Sequence, residues 1–248
     1  MTDSNTPNFS LDLSGEVALV TGTTSGLGRR FAIVLAKCGA KVVLTGRRVE
    51  RLEELAKEIR ADGGICEPIA IDMTDRESIR STLTQAEEKL GTVTILVNNA
   101  GIPDAQRAVK MSDELIDGVF DTNLVGPYIL SCEVARRLIA QKLPGRMVNI
   151  ASMAGMTGAF GYSSYSASKH ALVGLSECLR YEFKPLGVSV HLVCPGEFDS
   201  PMVDALDAYR TPENKAHTLI IPKMSVADIA QSTLSGIKAN KFLIIPGA

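Results

Sequence analysis

No run of basic residues marks this chain. Its 26 lysines and arginines are balanced by 28 acidic residues spread along 248 positions, for a formal net charge of -2. Tracking a phosphate backbone requires clustered cations, so nucleic acid is excluded as an expected partner. The five cysteines, Cys38, Cys66, Cys132, Cys178 and Cys194, form no Cys-x-x-Cys pair. His170, His191 and His217 are scattered among them without metal-ligand spacing, so no metal site is expected. Thiols of this kind suit a reduced, cytoplasmic compartment. No apolar run approaches the ~18 residues of a bilayer span. Met1 to Ser10 lacks the basic region and apolar stretch of a secretory signal, and residues 1–12 read as a flexible arm. Repeats, low-complexity tracts and linkers are also missing, so residues 13–248 read as one domain.

What is present is an alternation. Short apolar, β-branched runs at Val17–Thr21, Lys41–Thr45, Cys66–Ile71, Val93–Asn98, Met147–Ala151, Val188–Cys194 and Phe242–Ile245 are separated by amphipathic stretches. Those stretches lie near Gly26–Cys38, Val49–Ala61, Asp75–Leu90, Ser112–Ala140, Ser164–Lys184 and Val226–Ala239. Runs such as Val17-Ala18-Leu19-Val20 are apolar at consecutive positions, which suits strands covered on both faces. The pattern predicts a Rossmann-like, doubly wound α/β fold with a seven-stranded parallel sheet. Its ligand crevice should lie at the carboxyl ends of the strands. Residues 199–224 break the rhythm with three prolines. They read as a lid over the crevice, or else as a surface loop.

Thr21-Gly22-Thr23-Thr24-Ser25-Gly26-Leu27-Gly28 joins the first strand to the first helix. Its glycines permit a tight turn and close approach of backbone to a pyrophosphate at a helix N-terminus, although the spacing departs from Gly-x-Gly-x-x-Gly and a turn of this kind also serves other α/β proteins. An NAD site ordinarily carries an acid about twenty residues on. Here Gly46-Arg47-Arg48 stands in its place, and a guanidinium fork suits a 2′-phosphate. The same arginines could instead open a surface helix. Asp72, beside Met73, is placed either to accept from the adenine amino group or to cap the next helix. Asn98-Asn99-Ala100-Gly101 ends the fourth strand either as a plain turn or with small residues that admit a cofactor and amides that can tie strand ends together.

Tyr165 and Lys169 stand four residues apart on a periodic helix, on one face. A cation within ~4–6 Å favours a phenolate and makes a tyrosine a proton-transfer group. The alternative is a pair on a solvated helix. Ser152 follows the fifth strand at the edge that carries the glycine turn, where a hydroxyl can hold a carbonyl oxygen; alone it reads equally as a loop serine.

Taken in order and spacing, the glycine turn, Asn98-Asn99-Ala100-Gly101, Ser152, Tyr165-x-x-x-Lys169 and Pro195-Gly196 make the chain resemble a short-chain dehydrogenase/reductase from about Leu13 to Pro246. The resemblance implies that Tyr165 is the acid/base and that Lys169 binds the nicotinamide ribose and lowers the tyrosine pKa. It also implies that Ser152 orients the carbonyl and that the backbone of Asn123 holds a water linking Lys169 to solvent. The segment Pro195, Gly196, Glu197, Phe198, Asp199, Ser200, Pro201, Met202 resembles the stretch that meets the carboxamide, with Ser200 where threonine is more usual. Met153, Met156, Phe160, Tyr162 and Met202 suggest an apolar substrate pocket, and Glu197 lies near it. The expected activity is NADP(H)-dependent interconversion of a carbonyl and an alcohol, in a homotetramer or dimer acting on a small molecule. An NAD-dependent alcohol dehydrogenase and a catalytically silent dinucleotide-binding protein are the rival readings. The sequence stops at Ala248, directly after an apolar strand, which is compatible with a longer natural tail.

Overall fold

In the computed structural model, which describes residues 11–208, 210–218 and 223–247, seven parallel strands form one sheet in the order β3-β2-β1-β4-β5-β6-β7. They are β1 (Val17–Thr21), β2 (Lys41–Gly46), β3 (Cys66–Ala70), β4 (Ile95–Asn98), β5 (Gly145–Ile150), β6 (Val188–Val193) and β7 (Leu243–Ile244). The helices are α1 (Gly26–Lys37), α2 (Val49–Ala61), α3 (Arg76–Leu90), α4 (Asp113–Phe120), α5 (Gly126–Gln141), α6 (Ser163–Phe183), α7 (Pro201–Asp207), α8 (Pro212–Thr218) and α9 (Val226–Lys238). The expected N-terminal arm lies largely outside the described residues.

Consecutive apolar residues in the strands serve two cores. Ala18, Val20, Val42 and Leu44 point to one face and pack with Phe31 of α1, Leu52 of α2 and Ile229 of α9. Val17, Leu19, Val43 and Leu96 point to the other, against Leu83 of α3, Leu130 of α5 and Leu179 of α6. Removing this apolar surface from water stabilises the layers at roughly 25 cal/mol per Å². The α2 stripe of Leu52, Leu55, Ala56 and Ile59 is buried as its 3.6-residue period requires.

The stretch Ser112–Ala140, expected as one helix, is interrupted. A π-helical turn, Asp121–Val125, separates α4 from α5. Pro127 has no N–H to donate to the carbonyl of Asn123 four residues back, so a regular α ladder cannot pass this point. The Asn123 side chain holds the widened turn in place: Oδ1 accepts from Ile102 N at 2.8 Å, and Nδ2 donates to Ile102 O at 3.0 Å.

β1 pairs with both β2 and β4. The chain reverses its direction of winding between β1 and β4, which opens a crevice at their carboxyl ends. The described part of residues 199–224 contains α7 and α8, and its Ser200, Val203 and Leu206 line that end. Asn214 Nδ2 donates to Phe160 O at 2.6 Å and Arg107 pairs with Glu213 at 2.6 Å, so this insert is tied to the sheet-edge loops. No described helix is long and apolar enough to cross a membrane.

Candidate active site

A cleft of about 650 Å³ runs along the carboxyl ends of the strands. Its floor begins at the turn after β1, where Gly22 adopts φ +75°; a Cβ there would meet Ala100 Cα at 2.9 Å. Thr21 Oγ1 accepts from the N–H groups of Asn99 and Ala100, both at 2.9 Å, while Asn99 Nδ2 donates to Thr21 O at 2.9 Å and Gly22 O at 3.3 Å. These bonds staple the ends of β1 and β4 together. Deeper in the sheet, Asn98 Nδ2 donates to Asn149 Oδ1 at 2.9 Å and so ties β4 to β5.

Thr24, Ser25, Gly26 and Leu27 line the cleft where α1 begins. Gly28 lies beneath, too close to Gly22 O and Asn99 Nδ2 for any side chain. Ser25 at the N-cap makes no side-chain capping bond and the first turn carries no acid. By contrast, Asp75, Ser112, Ser200 and Ser225 cap their helices. Uncapped N–H groups and a positive helix end turned to a cleft suit a pyrophosphate.

Gly46, Arg47 and Arg48 line the far end. Arg48 Nη2 donates to Thr24 Oγ1 at 2.7 Å, which joins the end of β2 to the glycine turn. Asp72 and Met73 face the same space. Asp72 does not cap α3, because Asp75 does so by accepting from Glu77 N. Hydrogen bonds from the Thr74 backbone and hydroxyl hold the Asp72 carboxyl below its usual range, helped by Arg47 nearby. The observed donor set and close-packed glycines therefore fit a dinucleotide with its adenosine end at β2.

At the other end stand Ser152, Tyr165 and Lys169. Ser152 ends the β5 run and accepts from Ala154 N at 3.1 Å, and its hydroxyl lies beside that of Tyr165, whose proton release it eases. Lys169 is 4% exposed, which rules out the solvated-helix alternative. Its Nζ donates to Ile150 O at 2.9 Å. Gly101 lies against Nζ and Asn123, and Asn123 Nδ2 donates to Ser168 Oγ at 3.1 Å. One expectation is reversed. Burial pushes the Tyr165 phenol up to about 12, rather than Lys169 drawing it down. The Lys169 ammonium sits 5.8 Å from the ring centroid, against the ring face, with a hydrogen bond directed to Ile150. Burial lowers Lys169 itself to about 8.

Met153, Tyr162, Pro195, Gly196, Glu197, Phe198 and Ser200 also line the cleft. The Tyr162 ring meets that of Tyr165 edge-on at 5.5 Å. Met156 does not belong to this wall: it follows the turn at Met153–Gly155 and is 44% exposed. Phe160 is likewise 45% exposed and lies under the Arg107 guanidinium. Met202 falls in α7, but its side chain is outside the described ones. Sequence reasoning did not single out Ala159, Val203 and Leu206 in the wall, or the buried Arg210 behind Glu197. Small and aliphatic residues carry no chemical signal, and the burial of Arg210 is a tertiary fact.

The family described as short chain dehydrogenase matches residues 16–211. The chain belongs to the short-chain dehydrogenase/reductase family. It is 34% identical over 223 residues to the 3-oxoacyl-(acyl-carrier-protein) reductase FabG of Rickettsia conorii, covering 84% of this chain and 89% of that one. Among solved structures it resembles a short-chain dehydrogenase/reductase from Burkholderia phymatum in complex with NAD. That match has a TM-score of 0.87 and 27% identity, over 96% of this chain and 90% of the other. An actinorhodin polyketide ketoreductase with NADPH matches at TM-score 0.83 and 32% identity, over 94% and 96% of the two chains. As a short-chain dehydrogenase/reductase, the protein is an oxidoreductase acting on carbonyl or alcohol groups.

Proposed function

We propose that this protein is an NADP(H)-dependent reductase of ketone substrates, with Tyr165 as proton donor. The observation that carries the reading is Tyr165 beside Ser152 and over the buried Lys169, at one end of a cleft whose other end carries Arg47 and Arg48. The names of its relatives, an oxoacyl reductase and a polyketide ketoreductase, support a ketone as the group reduced.

A bound nicotinamide supplies the hydride; the chain supplies position and a proton. Ser152 holds the carbonyl oxygen within reach of Tyr165, and hydrogen bonds aimed at that oxygen strengthen as charge develops on it. Tyr165, kept neutral through the physiological range by burial, is in the donor state that reduction requires. Lys169 presents a buried cation to the ribose side of the site. Asn123, whose carbonyl Pro127 cannot serve as an α-helical donor, is placed to hold a water that returns the proton from solvent. The rest of the cleft positions the two reactants: the glycine turn takes the pyrophosphate, Asp72 and Met73 flank the adenine, and Phe198 and Ser200 flank the carboxamide. Met153, Tyr162 and Glu197 face the substrate. Residues 13–248 act as one domain, with 199–224 as its lid, and the five unpaired thiols suit the cytosol.

NADP(H) is favoured because Gly46 offers no carboxylate to the ribose and leaves room for a 2′-phosphate, while Arg47 offers a cation. A charge-assisted hydrogen bond to phosphate is worth roughly 1.5–3 kcal/mol, about 10- to 150-fold in binding. Following nicotinamide absorbance with a panel of ketones and alcohols, kcat/KM should be higher with NADPH than with NADH. Arg47→Ala should erase most of that preference and change NADH little. Equal values for the two cofactors in the wild type would leave the NAD-dependent reading, which the NAD-bound Burkholderia phymatum neighbour favours. No turnover with any substrate would refute the enzyme assignment.

A further inference from the structure

The first turn of α6, which carries Tyr165, is gripped by the segment that follows β4. Gly101, Ile102 and Pro103 of that segment line the cleft. Both backbone groups of Ile102 bond to the Asn123 side chain, whose Nδ2 also donates to Ser168 Oγ at 3.1 Å. Ser168 Oγ in turn donates to Tyr165 O at 2.7 Å. Two residues beyond Ile102, Asp104 reaches the same turn, where its Oδ2 accepts from Ser164 Oγ at 3.2 Å. Gln106 then pairs with Tyr162 through an isolated parallel bridge, and the Tyr162 ring meets that of Tyr165.

Asp104 is 1% exposed and Ser164 is buried with it. Among the described residues the carboxylate makes no ion pair; Arg107, three residues on, is engaged by Glu213 and by the Phe160 ring. Its Oδ1 is buried without a hydrogen-bond partner of good geometry. Burial pushes the carboxyl above its usual range, against Ser164 and the N–H groups of Ala105 and Gln106, which ease its ionisation. An acid held this way costs stability. The end of α6 has the matching need: its first turn contains no acid, and its N-cap residue, Tyr162, makes no side-chain capping bond. Asp104 brings an anionic acceptor to that end from a distant element.

We propose that Asp104 is a positioning residue: through Ser164 it fixes the first turn of α6 and so sets Tyr165 against the cleft wall at 101–103. The proposal rests on the reductase reading of the site. Asp104 does not itself line the cleft, so its effect on the reaction passes through the helix. Misplacing a reacting group by about 1 Å costs up to about 100-fold in rate. A slackened grip therefore appears in kcat. The glycine turn and Arg47, which set cofactor affinity, keep their places.

With NADPH and the best ketone of the panel, Asp104→Ala should lower kcat about tenfold or more, with NADPH affinity and ketone KM within about twofold of wild type. Asp104→Asn keeps an acceptor for Ser164 and should restore kcat to within about threefold of wild type. Ser164→Ala should match Asp104→Ala, and the double variant should be no slower than either, because all three lose one contact. If Asp104→Ala does not fold, Ser164→Ala reads the same loss without emptying the Asp104 site. Hydrogen exchange gives a readout independent of turnover: the Ser166 to Lys169 amides should exchange about tenfold faster in either alanine variant, with the sheet unchanged. Unchanged kcat in the folded alanine variants, equal losses in kcat and NADPH affinity, no recovery in Asp104→Asn, additive losses in the double variant, or unchanged exchange in α6 would each overturn the positioning role and leave the reductase reading standing. Absence of wild-type turnover with every ketone would overturn the reductase reading instead, and exchange would still decide whether Asp104 holds α6.

Discussion

Replacing Lys169 by methionine should make the protein more stable at neutral pH while removing its activity. Burial lowers the lysine from its usual 10.5 to about 8. An unfolded chain keeps that proton up to about 10.5, whereas the folded protein releases it near 8. At pH 7 the folded state therefore bears roughly 3 kcal/mol for holding a charged Nζ out of water, at about 1.4 kcal/mol per tenfold change in proton affinity. Between pH 8 and 10.5 the unfolded state binds more protons than the folded one, so this penalty fades as pH rises. Methionine matches the length and volume of the lysine stem and removes the penalty. It also removes the hydrogen bond to Ile150 O. Losing that donor costs about 1–2 kcal/mol, which leaves a net gain of roughly 1–2 kcal/mol at pH 7.

Urea denaturation of wild type and Lys169→Met at pH 7 and pH 9.5, without added nicotinamide, measures this difference. The advantage should fall by roughly 2 kcal/mol between the two pH values, because the wild-type lysine is already neutral in the folded state at the higher one. The titration of Tyr165 stays outside this window: its folded value of about 12 makes stability fall only above its unfolded value near 10. A variant less stable than wild type at pH 7, or a difference independent of pH, would refute the claim that desolvation governs this lysine.

Tyr165→Phe should lower turnover by roughly 10²–10⁴-fold or more while NADPH binding, followed by fluorescence, stays near wild type; retention of more than half the wild-type rate would end the proton-donor assignment. Gly28→Ala places a Cβ 2.3 Å from both Asn99 Nδ2 and Gly22 O. It should cost about 1–3 kcal/mol in stability and at least tenfold in NADPH affinity, and wild-type behaviour in both would show that the turn is plastic. We expect a homotetramer assembled through α5 and α6, where Tyr128 and Tyr181 are exposed; light scattering that gives the 26.5 kDa of one chain at micromolar concentration refutes it.

The sheet was legible because burial on both faces leaves a mark that is hard to mistake. Val17 and Leu19 serve one core and Ala18 and Val20 the other, and only a two-sided strand needs all four. Strand ends were less legible. Gly145 and Arg146 open β5 by pairing with Val188 and Ser189, a backbone event that hydrophobicity does not report. The break after Phe120 was hidden by apolar residues that continue with helical period on both sides. Pro127 was the visible warning, and the bond from Asn123 to Ile102 that fixes the turn joins residues far apart in sequence. In the site, the spacing of Tyr165 and Lys169 correctly brought them to one helix face, but spacing carries no information about depth. Depth is what reversed the expected tyrosine shift.

That reversal follows from one cause acting on two groups of opposite charge type. Burial disfavours whichever form is charged, so it moves Tyr165 up and Lys169 down and drives both toward neutrality. A phenol at about 12 is a poor base at neutral pH, but it is a ready donor to an oxygen whose basicity rises as the carbonyl is reduced. The lysine, with its ordinary charge weakened, is tuned close to the physiological range and can follow changes in its surroundings. In the reductase proposed above, the same desolvation that makes the pair costly to fold would poise it for proton donation to a carbonyl oxygen beside Ser152. A site built from the same residues nearer the surface would be cheaper to fold and would lose this bias.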